Sequence, residues 1–168
     1  MIVLGIDPGG RNTGIVLRNR DDLLGWQLAV RRSSAKMVDG AYVRHVLGCA
    51  LTVLRDAGLD PADRDGYIVA VEEVAYWPEA RGSKVRRDQR GLYGTAMVLG
   101  AILARWPDAV IVDAGRGVAN YHPQAYPEPI RPPVNGAGKD RLSHVRAAWD
   151  HSLAGETVWR TRTREARR

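Results

Sequence analysis

Two acidic residues, each at the end of a short apolar run, are best suited to chemistry. Asp7 follows Ile2-Val3-Leu4-Gly5-Ile6, and Glu72 follows Tyr67-Ile68-Val69-Ala70-Val71. Short, β-branched apolar runs bounded by turn residues predict buried strands. A carboxylate at the end of such a strand must hold a cation, pair with a base or remain exposed, because an unpaired buried charge is too costly. Both acids are therefore candidate ligands of a divalent metal ion, although each could merely mark the end of a strand.

A glycine-rich turn follows Asp7 directly. Pro8, Gly9 and Gly10 predict a tight turn in which the backbone can approach a phosphate closely. Thr13-Gly14-Ile15-Val16-Leu17 then resumes a strand. The first unit of the chain is thus predicted to be a hairpin with its acid at the end of the first strand. Taken alone, Asp7 could equally cap this turn.

The same residues carry a family resemblance. Gly5-Ile6-Asp7-Pro8-Gly9 with Thr13-Gly14 resembles the opening of RuvC-type Holliday-junction resolvases. The resemblance implies an RNase H-like fold in which Asp7 binds catalytic magnesium. An Asp-x-Gly-x-x-x-x-Gly pattern also opens the sugar kinase, actin and heat-shock ATPase group, where it faces ATP phosphates. Those proteins need two domains and a much longer chain, whereas 168 residues suit one domain with a single core.

A second stretch supports the resemblance to RuvC proteins. Val69-Ala70-Val71-Glu72-Glu73-Val74 resembles the Ala-Ile-Glu-Gln-Val stretch of RuvC proteins, whose glutamate is a metal ligand. This match gives the role to Glu72, and strand alternation turns Glu73 to the opposite face. Two-metal nucleases hold ions about 3.5–4 Å apart between converging carboxylates. The resemblance therefore implies Mg²⁺, for which Mn²⁺ is expected to substitute, since both suit oxygen ligands.

RuvC proteins place further acidic or histidine ligands on their last helix, three residues apart. Here no Asp-x-x-Asp or His-x-x-Asp occurs. At about 100° per residue, the apolar residues of a helix over 139–153 share one side, and its acids and histidines lie on the other. We predict His144 and Asp150 as ligands, with Asp140 in reserve. A solvated polar helix face is the alternative, and a competing match of 135–140 would leave the site with two carboxylates.

Residues after Glu72 are the candidates for DNA contact. RuvC proteins carry a stacking aromatic three residues after the glutamate, where this chain has Ala75. Two aromatic residues that follow could stack on unpaired bases instead, and arginines suit phosphate through their planar fork. Alternatively, the aromatic residues pack under the loop, and the charged residues are merely solvated. The predicted DNA-binding residues are Tyr76, Trp77, Arg81, Lys84, Arg86, Arg87 and Arg90.

Composition agrees with a polyanionic partner. The chain is 45% hydrophobic and 26% charged, with a net charge of +6 and a pI of about 9.9, which favours nucleic acid. Arginine supplies most of the positive charge, a bias that a GC-rich genome could also produce. Cys49 is the only cysteine, so an intramolecular disulfide is excluded. No apolar run could cross a membrane and no signal peptide precedes the first strand, so we expect a cytoplasmic protein.

Periodicity predicts an α/β domain with a mixed five-stranded sheet flanked by helices. Three consecutive strands with short connections indicate an antiparallel meander. Residues 114–138 are predicted to be irregular, 1–155 to form a single RNase H-like nuclease domain, and 156–168 a basic tail. Strands are predicted at 2–7, 13–19, 24–30, 67–71 and 109–113, and helices at 37–57, 91–105 and 139–153.

The predicted function is a structure-selective DNA endonuclease. It would cut Holliday junctions or other branched DNA by two-metal-ion hydrolysis, as a homodimer, because two strands must be cut. Three alternatives remain open: another RNase H-like nuclease acting on flaps or RNA–DNA hybrids, a non-catalytic binder of branched DNA, and a fragment of an ATPase fold.

Overall fold

The structure is a computed structural model, and it describes residues 1–32, 37–74, 89–113, 125–132 and 142–168. The side chains of Gln89 and Arg90 are not part of that description. The strands are β1 (Ile2–Asp7), β2 (Asn12–Asn19), β3 (Asp22–Val30), β4 (Ile68–Glu72) and β5 (Val110–Val112). The helices are α1 (Gly40–Asp56), α2 (Gln89–Arg105) and α3 (Ser143–Glu165), with a 3₁₀ turn at Glu128–Ile130.

The five strands form one mixed sheet in the order β3-β2-β1-β4-β5. The pairs β1–β2 and β2–β3 are antiparallel, whereas β4 pairs in parallel with β1 and β5 in parallel with β4. The predicted mixed five-stranded sheet with three antiparallel strands first is confirmed. Because β1, β4 and β5 run the same way, their carboxyl ends meet at one edge of the sheet.

The two faces of the sheet are covered by different helices. Leu4 and Ile6 of β1 belong to a core cluster with α1 and α2. Val3, which alternates with them, packs in a cluster with Ala70 of β4 and with residues of α3. Alternation along β1 therefore turns Gly5 and Asp7 toward α3 as well.

Helix α1 begins later than residue 37 because a side chain caps it. The Asp39 carboxylate accepts a hydrogen bond from the Tyr42 backbone N–H at 2.8 Å, with Asp39 itself in an extended conformation. Such a cap satisfies one of the free N–H groups of the first turn. At the other end, Gly58 adopts a positive φ of 76° just past the helix, as expected of a glycine there.

Helix α3 continues well past residue 153, where the sequence predicted its end. Residues 156–165, expected in a basic tail, are helical. The reason is packing, since Val158 contacts the cluster around Val3 and Ala70 and the Glu156 carboxylate pairs with Arg18 at 2.6 Å. The division of the chain into a nuclease domain and a tail after residue 155 stays a prediction. Among the described helices, none is long and apolar enough to cross a membrane.

Candidate metal centre

Asp7 and Glu72 are neighbours at the edge where β1 and β4 end. Ile6 pairs in parallel register with Val71, so the two acids come next on adjacent strands. Both side chains lie on the face that α3 covers, because they alternate with Ile6 and Val71. Asp7 is buried, and the Glu72 side chain is one quarter exposed. Two residues distant in sequence thus present carboxylates to the same space.

Glycines let α3 approach this part of the sheet closely. A Cβ added at Gly5 would collide with the backbone carbonyl of Ala148, and one at Gly14 would collide with that of His144. The backbone of α3 therefore rests directly on β1 and β2 at these two points. Any larger residue would move the helix away from the sheet.

Two histidines of α3 reach the carboxylates. His144 Nδ1 lies 2.6 Å from Asp7 Oδ2, which is a hydrogen bond. His151 Nε2 lies 3.6 Å from Glu72 Oε2 and 4.0 Å from Asp7 Oδ1. The two histidines are seven residues apart, which is close to two helical turns, so they project from the same side of α3. His151 is 1% exposed, whereas His144 borders the solvent.

The geometry of Asp7, Glu72 and His151 fits a metal ion. Each offers one donor atom, and these atoms lie within 4.8 Å of one another. Donors about 2.1 Å from one octahedral ion lie roughly 3.0 Å apart when adjacent and roughly 4.2 Å apart when opposite. The distances from His151 fall in this range and are too long for hydrogen bonds. Within the described part of the chain, neither ring nitrogen of His151 has a hydrogen-bond partner, which is costly unless a ligand supplies one.

Crowding of the acids changes their proton affinity. Burial, together with the hydrogen bond and charge of Asp7, raises the pKa of Glu72 from 4.5 to about 8. The hydrogen bond to Asp7 raises the pKa of His144 despite its burial. Burial lowers the pKa of His151, against the attraction of Asp7. A neutral imidazole is the form that ligates metals, so His151 is in the protonation state that a metal site requires.

Hydroxyl groups hold the turn after Asp7 in place. Thr13 Oγ1 and the Tyr42 hydroxyl lie 3.0 Å apart, and both are within hydrogen-bond distance of the Gly9 carbonyl oxygen, at 3.2 and 3.1 Å. The Gly9 N–H also donates to Thr13 Oγ1 at 3.3 Å. Tyr42 thereby ties α1 to the turn. Nothing in the local sequence indicates what the Tyr42 hydroxyl contacts.

Asp150 lies away from the cluster, contrary to the predicted ligand set. Its Oδ2 accepts a hydrogen bond from the Tyr126 hydroxyl at 2.8 Å, on the side of α3 that faces residues 125–132. At about 100° per residue, Asp150 is turned about 120° from His144, whereas His151 is turned only about 20°. Burial raises the pKa of Asp150 to about 6, opposed by Tyr126 and Arg146. The repeat of seven between the two histidines was the signal that could have identified His151.

Most of the predicted DNA-binding residues lie outside the described residues. This holds for Tyr76, Trp77, Arg81, Lys84, Arg86 and Arg87, and also for the reserve ligand Asp140. Arg90 lies in the first turn of α2.

Basic residues that the sequence did not single out lie at the edge of the sheet near Asp7. β3 runs in the same direction as β1, so its end lies at the same edge of the sheet as Asp7. The Arg31 backbone N–H donates to the Arg11 carbonyl oxygen at 2.9 Å, which brings two arginines together beside the turn after Asp7. Arg32 follows, and both Arg11 and Arg32 are exposed.

Comparison with known proteins identifies the fold. No family model and no curated protein sequence matches this chain. Among solved structures, it resembles T. thermophilus RuvC in complex with Holliday junction substrate, with a TM-score of 0.58, 20% identity and 97% coverage of each chain. It also resembles a Thermus thermophilus RuvC structure, with a TM-score of 0.56, 18% identity and 96% coverage of each chain. The chain therefore has the RNase H-like α/β fold that RuvC has, as the residues around Asp7 and Glu72 led us to expect.

Proposed function

We propose that this protein is a RuvC-type, structure-selective endonuclease that cuts Holliday junctions or other branched DNA by metal-dependent hydrolysis. The observation that carries the proposal is the convergence of Asp7, Glu72 and His151 on a donor spacing suited to a metal ion. The likeness in fold to a RuvC bound to a Holliday junction supports the choice of substrate. Cytoplasmic action on DNA belongs to the same proposal.

Asp7, Glu72 and His151 would hold the ion, which we propose to be Mg²⁺ with Mn²⁺ as a substitute. When bound, such an ion stabilises the charge that develops on the phosphoryl oxygens and lowers the pKa of the attacking water. Carboxylate oxygens suit both ions, and an imidazole ligand favours Mn²⁺ over Mg²⁺. The donor set of two carboxylates and one imidazole therefore predicts tighter binding of Mn²⁺.

His144 has a different task from His151 in this proposal. Its hydrogen bond to Asp7 occupies Nδ1 and fixes the direction of the Asp7 carboxylate. Nε2 of the same ring is then free to accept a proton from an attacking water. The ring borders the solvent, which gives the water a route to Nε2. A histidine held by a carboxylate in this way is a common general base.

DNA contact is proposed on both sides of the metal centre. The stretch after Glu72 supplies Tyr76, Trp77 and the arginines and lysine from Arg81 to Arg90, as the sequence predicts. On the other side, Arg11, Arg31 and Arg32 lie at the edge where β3 ends. Guanidinium groups on both sides would bind the backbone of a strand that crosses the centre.

We also propose a homodimer, which would present two metal centres to two strands. Helix α2 exposes large apolar side chains, with Tyr93 at 62% and Met97 at 46% exposure. Gly100 and Ala104 continue the same side at helical spacing and are also exposed. An exposed apolar stripe of this kind is typical of a protein–protein contact.

Cleavage of a labelled four-way junction with Mn²⁺ or Mg²⁺ tests the proposal. Asp7→Asn and Glu72→Gln should lower the single-turnover rate by about 10²–10³-fold, because each removes a carboxylate from the ion. Asp150→Asn is the matched control, since an asparagine oxygen can still accept the hydrogen bond from Tyr126, and it should cut at close to the parent rate.

Parallel substrates separate the alternatives. Faster cutting of a flap or of an RNA–DNA hybrid than of the junction would assign the protein to another class of RNase H-like nuclease. Junction binding by the parent with no metal-dependent cutting would contradict the proposed activity and indicate a binding protein.

A further inference from the structure

The second half of α3 is anchored firmly to the sheet. Arg18 of β2 is 1% exposed, and its guanidinium donates to Glu156 Oε2 and to Ser152 Oγ, each at 2.6 Å. Two residues further on, Val158 packs against the cluster that contains Val3. A buried, multiply bonded arginine fixes the direction of the helix. The helical residues that follow are therefore presented in a defined orientation.

Beyond Val158, one side of the helix and the turn that follows Glu165 carry a basic stripe. Arg160, Arg164, Arg167 and Arg168 are spaced by four, three and one residues. At about 100° per residue, Arg160 and Arg164 lie about 40° apart around the helix axis, and Arg167 and Arg168 follow in the turn after Glu165. Arg162 lies on the other side, about 160° from Arg164. All five arginines are exposed.

Little in the described structure neutralises this stripe. Arg160 pairs with Glu156 at 2.6 Å. Arg164, Arg167 and Arg168 form no ion pair with any residue that the structure describes. Basic residues in the final turn do favour the helix dipole, but that effect falls off within one turn. Arg160 and Arg164 lie about 6 Å apart along the helix, and Arg167 and Arg168 extend the stripe past its last turn.

We propose that this stripe binds the phosphates of a duplex arm at a distance from the metal centre, which rests on the proposed function. From His151 to Arg164 the helix rises about 20 Å. That distance corresponds to roughly six base pairs of duplex at 3.4 Å each. The helix would therefore set the distance between the cleavage centre and a second contact on the same DNA molecule.

The chemistry of this side favours DNA over a membrane surface. Thr157 and Thr161 accompany the arginines on this side of the helix, whereas Trp159 lies on another. Interfacial helices need a broad apolar face for insertion, and the side that carries the arginines has none. Guanidinium groups backed by hydroxyls suit a row of phosphates.

The test compares two charge-matched double variants in buffer without divalent ions, where the junction is bound but not cut. Arg164→Gln with Arg168→Gln removes two residues of the stripe. Arg55→Gln with Arg162→Gln removes two exposed arginines from elsewhere. The slope of log K against log salt should fall by about 1.8 for the stripe variant, since each phosphate contact contributes about 0.9. The control should keep the parent slope, and circular dichroism should show both variants folded.

Arm length supplies the second readout. On junctions whose arms are shorter than about six base pairs, the stripe variant and the parent should bind equally, because the duplex no longer reaches the stripe. Equal slopes for the two double variants, or a difference that does not depend on arm length, would overturn the inference. The inference would also be overturned if the stripe variant lost binding to anionic vesicles while its DNA binding stayed unchanged.

The same data separate this inference from the proposed function. A parent protein that binds and cuts the junction, together with a stripe variant of unchanged slope, removes only the remote contact. A parent protein that neither binds nor cuts branched DNA removes both.

Discussion

At the scale of single residues, the chemistry of the centre follows from two carboxylates forced together. Asp7 and Glu72 end adjacent parallel strands and face the same helix. Their charges cannot both persist in a partly buried space without a cation or a proton between them. This is why burial and Asp7 together raise the pKa of Glu72 to about 8. The metal-free protein therefore carries a proton where the proposed ion would sit.

We predict a pH-dependent stabilisation by metal. Between pH 4.5 and about 8, Glu72 of the folded, metal-free protein keeps a proton that the unfolded chain has lost. The contribution of this proton to stability is therefore present below pH 4.5 and is lost as the pH rises through 8. Mn²⁺ at about 100 times its Kd should raise the Tm at pH 8 by about 5–10 °C. The shift should be smaller at pH 6, where the ion competes with the proton.

Thermal unfolding with EDTA or Mn²⁺ at several pH values measures this effect. Glu72→Gln is the control, because it removes the titrating group and should lose both the pH dependence and most of the Mn²⁺ shift. Equal Mn²⁺ shifts at pH 6 and pH 8 in the parent would contradict the role given to Glu72.

At the same scale, the sequence singled out Asp7 and Glu72 as candidates, whereas it did not single out His151. Each acid ends an apolar strand, which is a local pattern. The choice between Asp150 and His151 depends on how α3 is rotated about its axis, and a single polar face includes both. The structure buries α3 against the sheet and also against residues 125–132, so Asp150 and His151 are both buried but in different surroundings.

At the scale of elements, the approach of α3 to the sheet decides whether the centre assembles. Gly5 and Gly14 allow backbone contact, and both His144 and His151 depend on it. The succession of strands and helices along the chain followed from periodicity, because hydrophobic alternation is local. The length of α3 did not, since its continuation depends on contacts with Arg18 and Val3 that only the folded chain reveals.

We predict that Gly5→Ala weakens both the fold and the metal site. The added Cβ would meet the Ala148 carbonyl, and overpacking of this kind costs about 1–3 kcal/mol of unfolding free energy. Because α3 must shift, His151 should move away from Asp7 and the Mn²⁺ affinity should fall. Chemical denaturation and calorimetric titration with Mn²⁺ measure the two effects.

Gly48→Ala is the matched control for this change. Gly48 lies within α1, and a Cβ there meets nothing within 4 Å. The replacement should stabilise the protein, since alanine is favoured over glycine in a helix by about 1 kcal/mol. It should leave Mn²⁺ affinity unchanged. Unaltered Mn²⁺ affinity in Gly5→Ala would show that the centre tolerates displacement of α3.

At the scale of the whole molecule, α2 is the surface through which the proposed homodimer would form. Its exposed side carries Tyr93, Met97 and small residues. The small residues of this helix suit close packing on a sheet or on a second subunit equally well. Only the burial pattern shows that one side of α2 is left uncovered within the described chain.

We predict that Met97→Glu abolishes the homodimer. The parent should have twice the mass of the 18.5 kDa chain by light scattering, and the variant should have the mass of one chain, because a buried unpaired carboxylate at the contact is too costly. Met37→Glu is the control, since Met37 is exposed to a similar degree but lies outside α2, and it should remain dimeric. A parent that is monomeric at all concentrations would rule out the proposed assembly.

The contact of α3 with all five strands has a consequence for natural variation in chain length. Inserting or deleting one residue between His144 and His151 would rotate everything after it by about 100°. His151 would leave Asp7, and Gly155 would no longer meet Ala70. Beyond Trp159 the same change would alter only the direction of the arginine side chains. Homologous chains should therefore keep the first three turns of this helix at constant length and tolerate gaps only near its end.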